Sequence, residues 1–120
     1  MGKVIIVLLS GMSEPQKVKS GLMFASIAAT MGFETIVYCV QDGVEVMVKG
    51  KAEQEVVEEG MPTVKQRLDE VLKHGVRIMV CENAVRNKGL SQEDFIEGVE
   101  ISGAATLIDI AVESNTVLTF

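Results

Sequence analysis

Tryptophan is absent from this 120-residue chain, aromatic residues of all kinds make up 4%, and histidine occurs once, at His74. Cysteine occurs twice, at Cys39 and Cys81. The pair is too widely spaced for a C-x-x-C motif and too small for a disulfide framework. Two thiols and one imidazole make no zinc set, so no metal is expected. This sparing use of cysteine fits a reducing, intracellular setting. Positive charge is also scarce: 11 Lys and Arg stand against 17 Asp and Glu, a formal charge of −6. No basic cluster with interleaved aromatics occurs, which excludes nucleic acid as the principal partner. Long apolar runs are missing too. Val4–Leu9 is short for the core of a signal peptide and no small-x-small cleavage site follows it. The myristoylation pattern fails at Ile6, and no run approaches a membrane span. The expectation is a soluble, cytoplasmic protein.

What is present describes a compact domain. Hydrophobic residues make up 48% and charged residues 23%, the balance of a globular chain. A chain of 120 residues has room for one core, and folding should bury roughly two-thirds of its unfolded surface. Lys3–Leu9 reads as a buried first strand, Glu34–Val40 as a second, Val76–Val80 as a third, Gly98–Ile101 as a short fourth and Thr116–Phe120 as a last. Between them lie helical patterns. Lys17–Met31 presents a wide apolar surface (Val18, Leu22, Ala25 and Ala29, flanked by Phe24, Ile27, Ala28 and Met31) and stops at Gly32. Asp42, with Glu45 three residues on, can cap a short helix carrying Val44, Met47 and Val48.

Lys49–Gly60, with Glu53, Glu55, Glu58 and Glu59, reads as a solvated loop, or as an acidic flap able to gate a site. Pro62 opens a helix whose Val64, Leu68, Val71 and Leu72 keep core spacing. His74, next to Gly75, serves that helix's terminal carbonyls or, less simply, acts as a base. Ser91–Asp94 fits a capping box for a short helix with Phe95 and Ile96 inward. Gly103–Glu113 is amphipathic through Ala104, Leu107, Ile108, Ala111 and Val112. Strands alternating with helices give an α/β, three-layer α/β/α domain around a mainly parallel five-stranded sheet.

The chemistry is expected in Val76–Leu90. An apolar strand runs into Cys81, and Glu82–Lys88 follows as a polar, helix-capable segment. Cys81 would then stand at a strand's carboxyl end, where open α/β sheets place their ligands. The first N–H groups of a following helix, with Arg86 and Lys88, favour a thiolate. The alternative is that Cys81 is a small buried hydrophobe. Right-handed crossovers bring Ser10, Gln41 and Cys81 to one edge. Ser10 and Gly11 offer backbone N–H groups to an anion or nucleotide, or simply make a βα turn; they match neither G-x-G-x-x-G nor a P-loop. For Cys39, strands about 4.8 Å apart leave a bond to Cys81 possible by distance. Alternation places Cys39 with Val37 under a helix layer, as a buried protonated filler with no bond to Cys81.

These pieces, in this order, resemble the DsrE/DsrF-like proteins, small α/β subunits that include sulfur-relay components of the TusBCD and DsrEFH type. The resemblance runs over nearly the whole length. It rests on the apolar first strand with its turn and long helix, Asp42-Gly43-Val44 after the second strand, and Gly75-Val76 leading to Cys81. Gly89-Leu90 before Glu93-Asp94, Gly98-Val99 and the terminal strand ending in Phe120 complete it. The surroundings of Cys81, Glu82-Asn83 in particular, are closer to stand-alone members than to tRNA-thiolation subunits. The resemblance implies that Cys81 holds sulfur as a persulfide and passes it from a donor to an acceptor, either proteins or small sulfane compounds, without a metal or organic cofactor. Asn83 and Arg86 are the candidates for orienting or neutralising the donor, with Ser10 and Gly11 beside them. It also implies a homo-oligomer, as dimer, trimer or hexamer. The alternative it leaves open is a non-catalytic assembly or regulatory subunit.

Overall fold

A computed structural model describes residues 2–120. The strands are β1 (Lys3–Leu8), β2 (Glu34–Cys39), β3 (Arg77–Cys81), β4 (Glu100–Ser102) and β5 (Thr116–Thr119). They form one five-stranded sheet in the order β4-β3-β2-β1-β5, every pairing parallel. The helices are α1 (Pro15–Thr30), α2 (Gly43–Val46), α3 (Val64–Lys73), α4 (Glu82–Asn87) and α5 (Ala104–Val112).

Handedness sets the layers. The chain steps from β1 to β4 in one direction across the sheet, and right-handed crossovers put the intervening helices on one face. The return from β4 to β5 reverses that direction and sends α5 to the other face. The two cores agree. Val4, Ile6, Leu8, Val37, Cys39, Ile78 and Val80 face α1 and α3, whereas Ile5, Val7, Ile36, Tyr38 and Met79 face Leu107, Ile110 and Ala111 of α5.

Local chemistry moves several boundaries. The first helix starts at Pro15 rather than Lys17, proline occupying its first turn, where its missing N–H is no loss. The third begins at Val64, not Pro62. Thr63 is its N-cap, accepting the Gln66 N–H at 3.1 Å while Gln66 Oε1 accepts the Thr63 N–H at 2.8 Å. Ser91–Asp94 makes only one 3-10 turn, Gln92–Asp94, held by the Ser91 N–H donating to Asp94 at 2.8 Å.

Two apolar faces expected inside are outside. On α1, Phe24, Ile27 and Met31 are exposed, and on α5 so are Ile108 and Val112, since Ile110 takes the inward place. Conversely, the acidic 49–60 segment is not wholly solvated. The Glu55 side chain is buried, pairs with Lys19 of α1 at 2.6 Å and accepts the Val64 N–H at 2.7 Å. One carboxylate thus pins the segment to two helices.

Candidate functional site

Cys81 is the last residue of β3 and the N-cap of α4. It is half-buried, and its thiol is free. Beside it opens a cavity of about 420 Å³ lined by Val40, Gln41, Cys81, Asn83, Ala84, Asn87 and Lys88. The walls are the end of β2 and the turn after it on one side, and α4 on the other.

The β2 wall is fixed by a close approach. A Cβ on Gly43 would lie 2.1 Å from the Leu8 carbonyl oxygen, so only glycine lets this turn pack on the end of β1. The Gly43 N–H donates back to Val40 at 2.9 Å and Leu9 at 3.1 Å. Gln41, between them, takes φ +50°, the one left-handed non-glycine among the described residues. That conformation costs about 1–3 kcal/mol, and it sits on the wall of the cavity. Lys88 ties the two walls together, donating to Asp42 and Glu45 at 3.1 Å each. Hydrogen bonds to Glu45 first and Asp42 second push its ammonium above the ordinary lysine range.

These pairings change the expected electrostatics. Arg86 donates to Glu82 at 2.9 Å and more weakly to Asn83 at 3.5 Å. Both cations expected to favour a Cys81 thiolate therefore already face carboxylates. Asn83 lines the cavity with Cys81, whereas Arg86, Ser10 and Gly11 are not among its lining residues. Ser10 is buried at the same edge, its N–H donating to Phe120 at 3.3 Å. Gly11 packs on Asp42, whose carbonyl oxygen would lie 2.7 Å from an added Cβ. Of the residues expected at this edge, Gln41 and Cys81 share the cavity and Ser10 lies outside it.

Behind Cys81 the sheet carries a polar knot. Tyr38 is fully buried, yet its hydroxyl reaches the carbonyls of Ser102 at 3.1 Å and Gly103 at 3.0 Å, and accepts from Ser102 Oγ at 3.2 Å. Ser102 is the register partner of Cys81. Burial pushes the Tyr38 phenol up, the Ser102 hydrogen bond opposes this, and the adjacent Cys81 thiol pushes it up further, both as a charge and as a hydrogen-bond partner. Cys39 lies on the opposite face, paired in register with Val80. Burial alone drives its thiol far above the ordinary range, and it is free, as Cys81 is. Among the described residues no cluster of three or more His, Cys, Asp or Glu is placed to hold a metal. Nor is any helix among them long and apolar enough to cross a membrane.

The comparisons with known proteins agree with this architecture. The model of the DsrE/DsrF-like family matches residues 2–120. The chain belongs to the DsrE/DsrF-like family. Its relatives include the uncharacterized protein MK0008 of Methanopyrus kandleri, 29% identical over 98% of this chain and 93% of that protein. Another is the uncharacterized protein MJ0989 of Methanocaldococcus jannaschii, 28% identical over 98% and 99%. The ychN protein of E. coli shares the fold at a TM-score of 0.84, with 22% identity over the whole of both chains. MTH1491 of Methanobacterium thermoautotrophicum does so at 0.69, with 18% identity over 98% and 99%.

Within this DsrE/DsrF-like domain, sequence reasoning missed Tyr38 and Asn87. Tyr38 carried a usable signal. The alternation that sets Val37 with Cys39 on one face sets Tyr38 on the other, with Met79 and Cys81 two residues apart on the adjacent strand. Asn87 carried none, since its place depends on the length of α4.

Proposed function

We propose that this DsrE/DsrF-like chain is an intracellular sulfur carrier that holds sulfane sulfur as a persulfide on Cys81. The observation that carries the reading is the position of Cys81: a free thiol at a strand's carboxyl end, opening on a cavity of about 420 Å³ whose lining includes Gln41, Asn83 and Asn87. The Cys81 thiolate attacks the outer sulfur of a donor persulfide. The donor's S–S bond breaks, a donor thiolate leaves with the electron pair, and Cys81 carries –S–SH. The first N–H groups of α4 follow directly on Cys81 and lack intrahelical acceptors, which suits an anionic sulfur. Carboxamides that donate and accept suit a small sulfane compound or the backbone of a protein-borne donor. The reaction needs no cofactor, and a cytoplasmic, reducing setting keeps both thiols reduced. Intact-mass spectrometry after incubation with an organic persulfide or polysulfide tests the reading. A gain of one or more sulfur atoms, lost in Cys81→Ala, supports it, and no gain from any donor sinks it.

A second reading, an assembly or regulatory subunit, is favoured by the exposed apolar faces. Phe24, Ile27 and Met31 border a groove of about 410 Å³ that runs along β5 to Leu118, well away from Cys81. Ile108 and Val112 form another face, being 62% and 79% exposed. Apolar faces of this kind mark contact surfaces, and burying them between copies makes a homo-oligomer, which the carrier reading also accommodates. Sedimentation equilibrium decides assembly: a single species at the monomer mass of 13.0 kDa would rule it out.

A further inference from the structure

Tyr38, the chain's one tyrosine, is fully buried, and strand register carries its hydroxyl to the sheet end where Cys81 stands. On β2 it stands beside Met79 of β3, and its ring reaches toward the carboxyl edge as far as Ser102 of β4. Cys81 lies between, on the same face as Met79 and paired with Ser102. The hydroxyl has one proton and several partners. The carbonyls of Ser102 and Gly103 are within 3.1 Å, Ser102 Oγ donates to the phenol oxygen at 3.2 Å, and Cys81, the register partner of Ser102, packs against the same cluster as the ring. A hydroxyl that accepts one hydrogen bond becomes a stronger donor in another. With a neutral thiol beside it, the proton is well placed on the carbonyls. With charge on the sulfur, a turn of the hydroxyl delivers the proton to the anion.

Resting on the carrier reading, we infer that Tyr38, backed by Ser102, donates a hydrogen bond to the Cys81 sulfur and serves the release half of the sulfur transfer. In release, an acceptor thiolate attacks the outer sulfur of Cys81–Sγ–SδH. A bond forms between the acceptor and Sδ, the Sγ–Sδ bond breaks, and its electron pair returns to Sγ. Acceptor persulfide and Cys81 thiolate are the products, with no oxidant or reductant consumed. Negative charge grows on Sγ along this path, so a donor aimed there binds the transition state better than the loaded state. Loading runs the other way: charge leaves Sγ as it attacks, and the same hydrogen bond gives no acceleration. The two halves should therefore respond differently to losing the phenol.

Single-turnover kinetics of the full chain test this, with an organic persulfide as donor, excess dithiothreitol as acceptor and intact mass as readout. Tyr38→Phe keeps the ring and removes the donor. It should slow release about tenfold, the scale of a hydrogen bond to a charged group, and change loading less than about threefold. Ser102→Ala, which leaves the tyrosine in place, should slow release in the same direction by a smaller factor, and Ser102→Thr should restore it. It also serves as the probe if Tyr38→Phe fails to fold. Unchanged release in the folded variants, or an equal fall in both halves, overturns the role of Tyr38 while leaving the carrier reading standing. A wild-type chain that takes up no sulfur overturns both.

Discussion

Cys39 and Cys81 sit on neighbouring strands, one residue out of register and on opposite faces of the same sheet. The face of Cys39 is covered by α1 and α3 and contains most of the buried core; that of Cys81 has α5 alone, and α5 has no fully buried residue. Identical side chains thus meet opposite conditions. One thiol is sealed where its ionised form has no solvation, and the other stands at the open corner of the thin layer. The lesson is that the single reversal of direction between β4 and β5 decides which cysteine is available for chemistry.

The sharpest break of this contrast is Cys81→Ala, expected to abolish sulfur uptake while shifting stability by less than about 1 kcal/mol, as for a site outside the tight core. Intact mass and denaturant unfolding measure the two. Next is the thick face. Glu55→Ala leaves Lys19 charged and unpaired under the 49–60 segment, and should cost about 3–5 kcal/mol in urea unfolding. Replacing both partners by apolar residues should recover most of that. Cys39→Ser places a hydroxyl where no partner waits and should cost about 1–3 kcal/mol, with sulfur uptake intact. Thiol titration sharpens the same point: one fast thiol in the native chain, and a second only on denaturation. Two fast native thiols would erase the distinction between the faces.

Much of this contrast was legible in the chain. Alternation in Glu34–Val40 placed Cys39 under a helix, and the apolar run into Cys81 placed that thiol at a strand end. Strand count, order of elements and the parallel sheet followed from the same periodicities. What was not legible depended on the third dimension. An apolar residue at helical spacing reads the same whether or not a layer covers it, so Phe24, Ile27, Met31, Ile108 and Val112 were read as inward. A glutamate among glutamates reads as solvated, so the anchoring role of Glu55 was hidden. Arg86 and Lys88 read as free cations because their partners lie in part on another element: Glu82 is one helical turn away, but Asp42 and Glu45 are more than forty positions off.

Smaller effects test the corner itself. With Lys88 matched to two carboxylates, the cavity has no spare positive charge. Asp42→Asn combined with Glu45→Gln should release it. The rate of loading from the dianion thiosulfate, relative to the rate of Cys81 alkylation by neutral iodoacetamide, should then rise about threefold at low ionic strength, the gain shrinking as salt screens it. Smallest of all is the bridge at the far end of β3. Arg77 donates to both oxygens of Glu100, at 3.0 and 3.1 Å, and holds that carboxyl below its usual range. Both side chains are well exposed, so Arg77→Ala should cost only about 0.5 kcal/mol. A depressed carboxylate stabilises above its unfolded pKa and loses that contribution as pH falls through its folded one. The difference between wild type and variant should therefore vanish on acidification below the ordinary glutamate range.

The position of β5 has a consequence for how the chain is made. β1 pairs with β2 on one side, but its other edge waits for Thr116–Thr119, and even the Lys3 N–H finds its acceptor 112 residues away on Asn115. A ribosome extending the chain therefore displays an open edge of Val4, Ile5, Ile6 and Val7 until Thr116–Thr119 has emerged. Such an edge is a template for pairing with another chain, and contacts of this sequence separation form slowly. β1, an interior strand of the finished sheet, is thus exposed along one edge for most of synthesis, and a chaperone that guards this protein would be expected to hold it there.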